Sequence, residues 1–326
     1  MAHATTSITV GLARALQRRL RVLSKELPRA RRGEGKSVHR ARVASRRLRE
    51  GLAAIESGSR GLSRSARRDL RRVTHALGGV REMDVALALL EEEGAARGWP
   101  NTAVAAVAKQ CEALRDRRRK QLADALDRAD VTELVDAIGE IGDALDTRSG
   151  RTRPASQLAS RLRKRAREFQ RALAAAGTLY APVPLHATRL AAKKLRYTLE
   201  LAQEAARLPV TGDLRQLEAL QEMLGRMHDF QIVQEQLQVA MAARDPAAGR
   251  GLEVLDGEIE RTCRELHAKF LAGAPRLSRL ADRVSRDVTL RLVEKARQPM
   301  AKMAAPRAPR TSRTSRSSRA AAAGSR

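Results

Sequence analysis

The sequence predicts an all-α protein, and three observations predict it. Apolar residues recur at helical spacing almost throughout, and no convincing alternating strand appears. Ala, Leu and Arg, all strong helix formers, dominate the composition. Aromatic residues are only 2% of the chain, whereas a β-sandwich would want Val, Ile, Thr and aromatics. The 326 residues are 43% hydrophobic, enough for a sizeable core.

Taken in order, the periodic stretches cover about 7–27, 36–57, 62–79, 82–97, 101–128 and 130–147, then about 154–176, 184–206, 212–225, 227–243, 248–272 and 276–296. "RRGEGKS" (31–37) parts the first two, "GWPN" (98–101) ends the fourth, and "APVP" (181–184) precedes the eighth. "LGGVREMDV" (77–85) and "LGRMHDFQI" (224–232) read as helix–loop–helix corners, with Gly78 and Gly225 as C-caps. On that reading Glu82 and Asp229 open the next helices, where an acidic side chain suits the dipole. The tail "APRAPRTSRTSRSSRAAAAGSR" (305–326) is rich in Pro, Ser and Arg, lacks acidic residues and predicts disorder.

Charge bounds the partners. The chain carries 64 Lys plus Arg against 37 Asp plus Glu, a formal net charge of +27, and only a minority of the excess lies in the tail. Such a balance points to a polyanion: nucleic acid, inorganic polyphosphate or an anionic membrane surface. Cys111 and Cys263 offer neither a disulfide framework nor metal-ligand spacing, and read as small buried hydrophobes in a reducing compartment. No apolar run is long enough to span a bilayer, and the N-terminus lacks a secretion signal, so a cytoplasmic protein is expected.

An internal repeat then appears. His39 and His186 stand 147 residues apart, and the same offset pairs Arg42 with Arg189, Arg46 with Lys193, Arg47 with Lys194, Leu48 with Leu195, Arg49 with Arg196 and Leu52 with Leu199. The register runs on without a gap to Leu70 and Leu217, and to Leu77–Gly78 and Leu224–Gly225. "CEALR" (111–115) and "CRELH" (263–267) extend it after a short insertion. A register held over two helices and their connection argues for duplication. The expected organisation is two homologous helical halves, 1–148 and 149–300, packed as one unit about a pseudo-two-fold axis, followed by a basic tail, 301–326.

On a helical wheel, Ala41, Ala44, Ser45, Leu48, Leu52 and Ile55 form a core stripe. His39, Arg42, Arg46 and Arg49 form a separate basic row, repeated as His186, Arg189, Lys193 and Arg196, with Arg47 and Lys194 flanking. Like charges one turn apart weaken a helix by tenths of a kcal/mol. A charged run is ordinarily a solvated face, but such a face mixes Glu with Lys, and a matching row at a second site argues for an anion. Successive cations lie about 5 Å apart along such a row, a spacing suited to a flexible phosphate chain. Arg binds phosphate oxygens bidentately and Lys as a point charge. A histidine among arginines resists protonation until a polyanion binds. Arg81 and His228, near the corners, are further candidates for the same groove.

At these residues the chain resembles the CHAD family, the conserved histidine α-helical domains. "VHRARVASRRLR" and "LHATRLAAKKLRY" match the family's His, then Arg, then basic Leu-Arg block in each half, and "REMDV" and "HDFQI" stand at its Arg/His-Asp corner, with Glu82 in place of the usual Asp. The resemblance covers about 7–296. It implies two helical bundles around a basic groove or pore that binds inorganic polyphosphate, and association with polyphosphate granules. It also implies that His39, Arg42, Arg46, Arg47, Arg49, His186, Arg189, Lys193, Lys194 and Arg196 contact the ligand. The Glu-x-Glu-x-Lys motif of the triphosphatase domain that precedes many relatives is not found, so a stand-alone, non-catalytic binding module is expected.

Two other functions are weighed against it. Charge alone also fits non-specific nucleic-acid binding, especially through the tail. Sequence-specific recognition is disfavoured, because stacking aromatics are scarce and no helix-turn-helix or zinc motif is present. An enzyme acting on phosphoanhydrides would want clustered carboxylates for Mg²⁺ or a P-loop, and neither pattern is found. No cofactor is expected, and arginines crowd the histidines too closely for a metal site.

Overall fold

The computed structural model describes residues 3–55, 62–146, 153–243 and 249–297. The Glu56 position, the junction between the expected halves and the tail lie outside the described residues. Among the described residues the chain forms nine helical rods and no strand.

The first half holds α1 (His3–Arg31), α2 (Gly35–Ile55), α3 (Arg64–Arg97), α4 (Asn101–Asp127) and α5 (Val131–Asp146). The second holds α6 (Arg153–Ala176), α7 (Pro182–Ala206), α8 (Thr211–Ala242) and α9 (Gly249–Arg283). The last rod passes through a π-helical turn, Val284–Val288, and continues as α10 (Thr289–Arg297). α2 and α7 begin 147 residues apart, as do α3 and α8.

Local chemistry sets the ends. Gly33 turns the chain after α1 at φ +82°, a backbone open to glycine but strained for a side chain. The Ser63 hydroxyl accepts from the Ala66 amide at 3.1 Å and caps α3. That helix ends at Gly98, φ +64°, and Pro100 prevents its continuation. The Asp130 carboxylate accepts from the Glu133 amide at 2.8 Å at the head of α5. Pro182 opens α7, where its missing N–H is harmless.

The two expected corners are corrected. Residues 77–85 and 224–232 lie inside the continuous helices α3 and α8. Gly78 and Gly225 are not caps, and neither adopts a positive φ. The reason is the unbroken apolar stripe: Leu70, Val73, Leu77, Val80, Met83 and Ala86 are all buried on α3, as are Leu217, Leu220, Leu224, Met227 and Phe230 on α8. Its burial outweighs the roughly 1 kcal/mol that a mid-helix glycine costs relative to alanine. Glu82 and Asp229 therefore sit in mid-helix rather than at a helix start.

One contiguous core runs from Ile8 to Ala296 and draws on every helix. The expected stripe of α2 is buried throughout, as are Leu195 and Leu199 of α7. α1 packs against α2, α5 and α7, α3 against α4 and α8, and α6 against α2, α7 and α10. Two glycines bring the central helices close. A Cβ on Gly11 would lie 2.7 Å from the Ala205 carbonyl oxygen of α7, and one on Gly51 would lie 2.8 Å from Leu16 Cδ2 of α1. Both Cys111 and Cys263 are free and buried.

Candidate functional site

The basic rows of α2 and α7 meet. Arg42 and Arg46 from α2 stand within electrostatic reach of Arg189 and Lys193 from α7. Helix α8 adds His228 and Asp229 to the cluster, and α3 adds Glu82 and Arg81. The His186 and His228 rings pack at 4.8 Å between centroids. Arg189 is only 7% exposed, and Arg42, Arg46, His186, Lys193 and His228 are half-buried.

These basic groups crowd one another in a poorly hydrated space, which lowers the proton affinities of Arg42, Arg189, Lys193, His186 and His228. Burial, reinforced by Arg189, Arg42 and Arg46, pushes the Lys193 ammonium down to about 6, against a partial offset from Asp229. Burial and then Arg46 lower Arg42 to about 10, with Glu82 opposing. Arg189 is lowered by burial, which Asp229 partly offsets. His228 falls to about 3 through burial, then Arg189, His186, Lys193 and Arg42. His186 is lowered by burial, Arg189 and Lys193, and His39 by burial, Arg81, Arg42 and Arg40. Asp229 is raised by burial despite four surrounding cations.

Among the described residues no carboxylate lies within ion-pairing distance of Arg42, Arg46, Arg189 or Lys193. The Nε atoms of Arg42 and Arg189 are buried with no hydrogen-bond acceptor there. A buried guanidinium donor without an acceptor is unfavourable by about 1–3 kcal/mol. Chemically, this arrangement is a set of preorganised donors and positive charges awaiting oxyanions.

The flanking basic residues divide. Arg47 donates to Glu200 through Nε at 2.8 Å and through Nη2 at 3.1 Å, joining α2 to α7. Burial acts to lower its proton affinity, but the Glu200 bond outweighs it and raises it. Arg196 lies 3.6 Å from the same carboxylate and donates to Glu218 at 3.1 Å. Both guanidiniums also approach the buried Tyr197 ring, at 5.8 and 5.3 Å. These two side chains form a clamp between the rows. His39, Arg49 and Lys194 are exposed at the margins. His39 borders a recess between α1 and α2 that Arg18, Arg19, Arg40 and Arg47 share with Glu204. Arg49 and Lys194 border a second recess.

Several charged residues near the site carry no mark in either row. Arg19 of α1 is 7% exposed and donates to Glu204 at 2.9 Å. Asp84, one turn of α3 beyond Arg81, is raised by burial despite Arg119, Arg81 and Arg115. No group of three His, Cys, Asp or Glu side chains is placed to hold a metal ion among the described residues. No helix there is long and apolar enough to cross a membrane.

The fold has counterparts among known proteins. The fold is similar to the crystal structure of the CHAD domain from the plant Ricinus communis, with a TM-score of 0.59 and 21% identity over 88% of this chain and 91% of that one. It is also similar to PptA from Streptomyces chartreusis, with a TM-score of 0.60 and 18% identity over 84% of this chain and 99% of that one. No curated protein matches. The CHAD domain model matches residues 14–238, which includes both basic rows and His228 and Asp229 of α8. The chain belongs to the CHAD domain family.

Proposed function

We propose that this protein binds inorganic polyphosphate without turning it over, and that binding places it on polyphosphate granules in the cytoplasm. Arg42, Arg46, Arg189 and Lys193 are the central contacts, with His186 and His228 between them. His39, Arg49, Arg81 and Lys194 extend the contact, and Arg47 and Arg196 brace the two rows. The observation that carries this reading is the set of four basic side chains, two of them with orphaned buried donors, that face one another with no carboxylate at ion-pairing distance among the described residues. A phosphate chain supplies that counter-charge at a spacing of one oxyanion per unit. Family membership supports the same reading. The equal offsets of α2 to α7 and of α3 to α8 support two duplicated halves that share one groove.

Competition binding tests it. Long-chain polyphosphate displaces a labelled probe far better than double-stranded DNA at equal phosphate concentration and near-physiological salt. Equal displacement would favour a non-specific nucleic-acid binder and sink this reading. Affinity falls steeply with salt, by about 0.7–0.9 log units per log unit of salt for each phosphate neutralised if the nucleic-acid behaviour holds. Release of phosphate on incubation with Mg²⁺ would show turnover.

A further inference from the structure

A second charged feature lies beside the cluster. A recess of about 270 Å³ is walled by four helices: Arg49 comes from α2, Arg67 and Arg71 from α3, Arg161 and Arg165 from α6, and Lys194 from α7. One carboxylate, Glu50, also lines it. Glu50 is already engaged, accepting from Arg165 Nη2 at 2.7 Å and from Arg161 Nη2 at 3.3 Å. Arg165 is 8% exposed, so this pairing is a built floor rather than a surface contact. The Arg161 Nε is buried with no acceptor among the described residues. Among the described residues no carboxylate lies within ion-pairing distance of Arg49, Arg71 or Lys194, although Glu50 acts on Arg49 and Lys194 on Glu168 at longer range. Below them lie the buried side chains of Leu52, Leu62 and Leu70. Low-dielectric walls of this kind strengthen the field of the cations above them.

The two sites differ in charge density. The α2 and α7 rows offer cations in sequence, which suits interior phosphates of one negative charge each. The recess gathers cations from four directions around one volume, which suits a single group of higher charge. A terminal phosphate is such a group, since it carries a second ionisable oxygen with a pKa near 6, as phosphate monoesters do. Arg49 joins the two sites. Burial, then Arg71 of the recess, and more weakly Arg46 of the cluster lower its proton affinity, while Glu50 opposes them.

We propose that this recess holds the terminal dianionic phosphate of the polyphosphate chain, with Arg49 passing the chain on to Arg46 and the cluster. This rests on the polyphosphate reading above. It assigns the protein a preference for chain ends over chain interiors.

Linear and cyclic hexaphosphate separate the two ideas, because the ring has no terminus. Binding to the full-length protein, measured by calorimetry, is expected to be about tenfold or more tighter for the linear form, the worth of one or more charge-assisted hydrogen bonds. Arg71→Glu reverses an exposed charge that has no acidic partner among the described residues, and Arg71→Ala removes it. Both variants are expected to fold, as circular dichroism would show, and to bring the linear-to-cyclic ratio close to one. Equal binding of the two forms by the native protein overturns the end-binding assignment while leaving the polyphosphate reading intact. So does a ratio unchanged in Arg71→Glu. If a simple phosphate monoester competes as strongly as the linear chain, the recess serves a free phosphate ester and the chain-end assignment fails. Failure of both hexaphosphates to bind overturns the polyphosphate reading itself.

Discussion

Lys193 carries the sharpest consequence at the scale of single residues. With its proton affinity pushed down to about 6, it is largely neutral at pH 7 before ligand arrives. A polyanion favours the ammonium, so binding takes up a proton. Affinity therefore falls as pH rises above 6, by up to about tenfold per pH unit from this one group until the liganded form itself deprotonates. His186, also lowered, extends the same trend below neutrality. Calorimetry in buffers of different ionisation enthalpy measures the proton taken up, and no uptake near pH 7 would contradict this account. Lys193→Met removes a buried amine that folding holds largely without its proton. It is expected to raise the melting temperature of the free protein while weakening polyphosphate binding about tenfold or more. Replacing Arg42, Arg46, Arg189 and Lys193 together by Ala is expected to abolish binding with helicity retained; retained binding would move the site elsewhere, for example to the tail. The residues of these rows were legible in the sequence because they share a helical period and a 147-residue echo. Their division was not. Glu200, which claims Arg47 across 153 positions, has no local signature, and the Arg71, Arg161 and Arg165 walls of the recess come from helices that only tertiary packing brings together.

At the scale of helices, close approach at glycine governs the arrangement. Gly11 faces the backbone of Ala205, which cannot yield as a side chain can. Gly11→Val is expected to push α1 away from α7 and destabilise the protein by about 1–3 kcal/mol, the usual range for overpacking. Thermal unfolding reads this as a drop of about 1.5–5 °C, at about 1.5 °C per kcal/mol for a chain of this size; an unchanged melting temperature would show that the helices part freely. Glycine also explains where the helices were misread. At Gly33 and Gly98 the residue does end a helix, in a left-handed turn. At Gly78, Gly79 and Gly225 the same residue type lies within a helix, and at Gly79 a Cβ would stand 2.9 Å from Arg118 Cδ of α4. A glycine marks a turn, a near neighbour or, as at Gly225 where a Cβ would meet open space, neither, and composition alone does not distinguish them. The continuous stripe from Leu70 to Leu90 does, when followed past the glycines instead of being cut at them.

The whole molecule is held by a core with no seam between its halves. α1 packs on α7 and α10, α3 and α4 pack on α8, and α2 packs on α6. Neither half is expected to fold alone. Expressed separately, residues 1–148 and 149–300 should be insoluble or molten, whereas co-expression should restore a compact complex that binds polyphosphate. A cooperative thermal transition in either isolated half would show an independent domain. The single core, with the Arg47–Glu200 clamp across it, has a further meaning for recognition. Arg42 and Arg46 of α2 and Arg189 and Lys193 of α7 ride on helices joined by that clamp and packed into one core, so packing sets their spacing. On the polyphosphate reading, the anion does the bending. A single phosphate chain curls at every bridging oxygen and can thread its charges to this template, whereas duplex DNA, stiff over about 50 nm, presents only a rigid outer edge. Stiffness in the receptor thus becomes a filter for suppleness in the ligand.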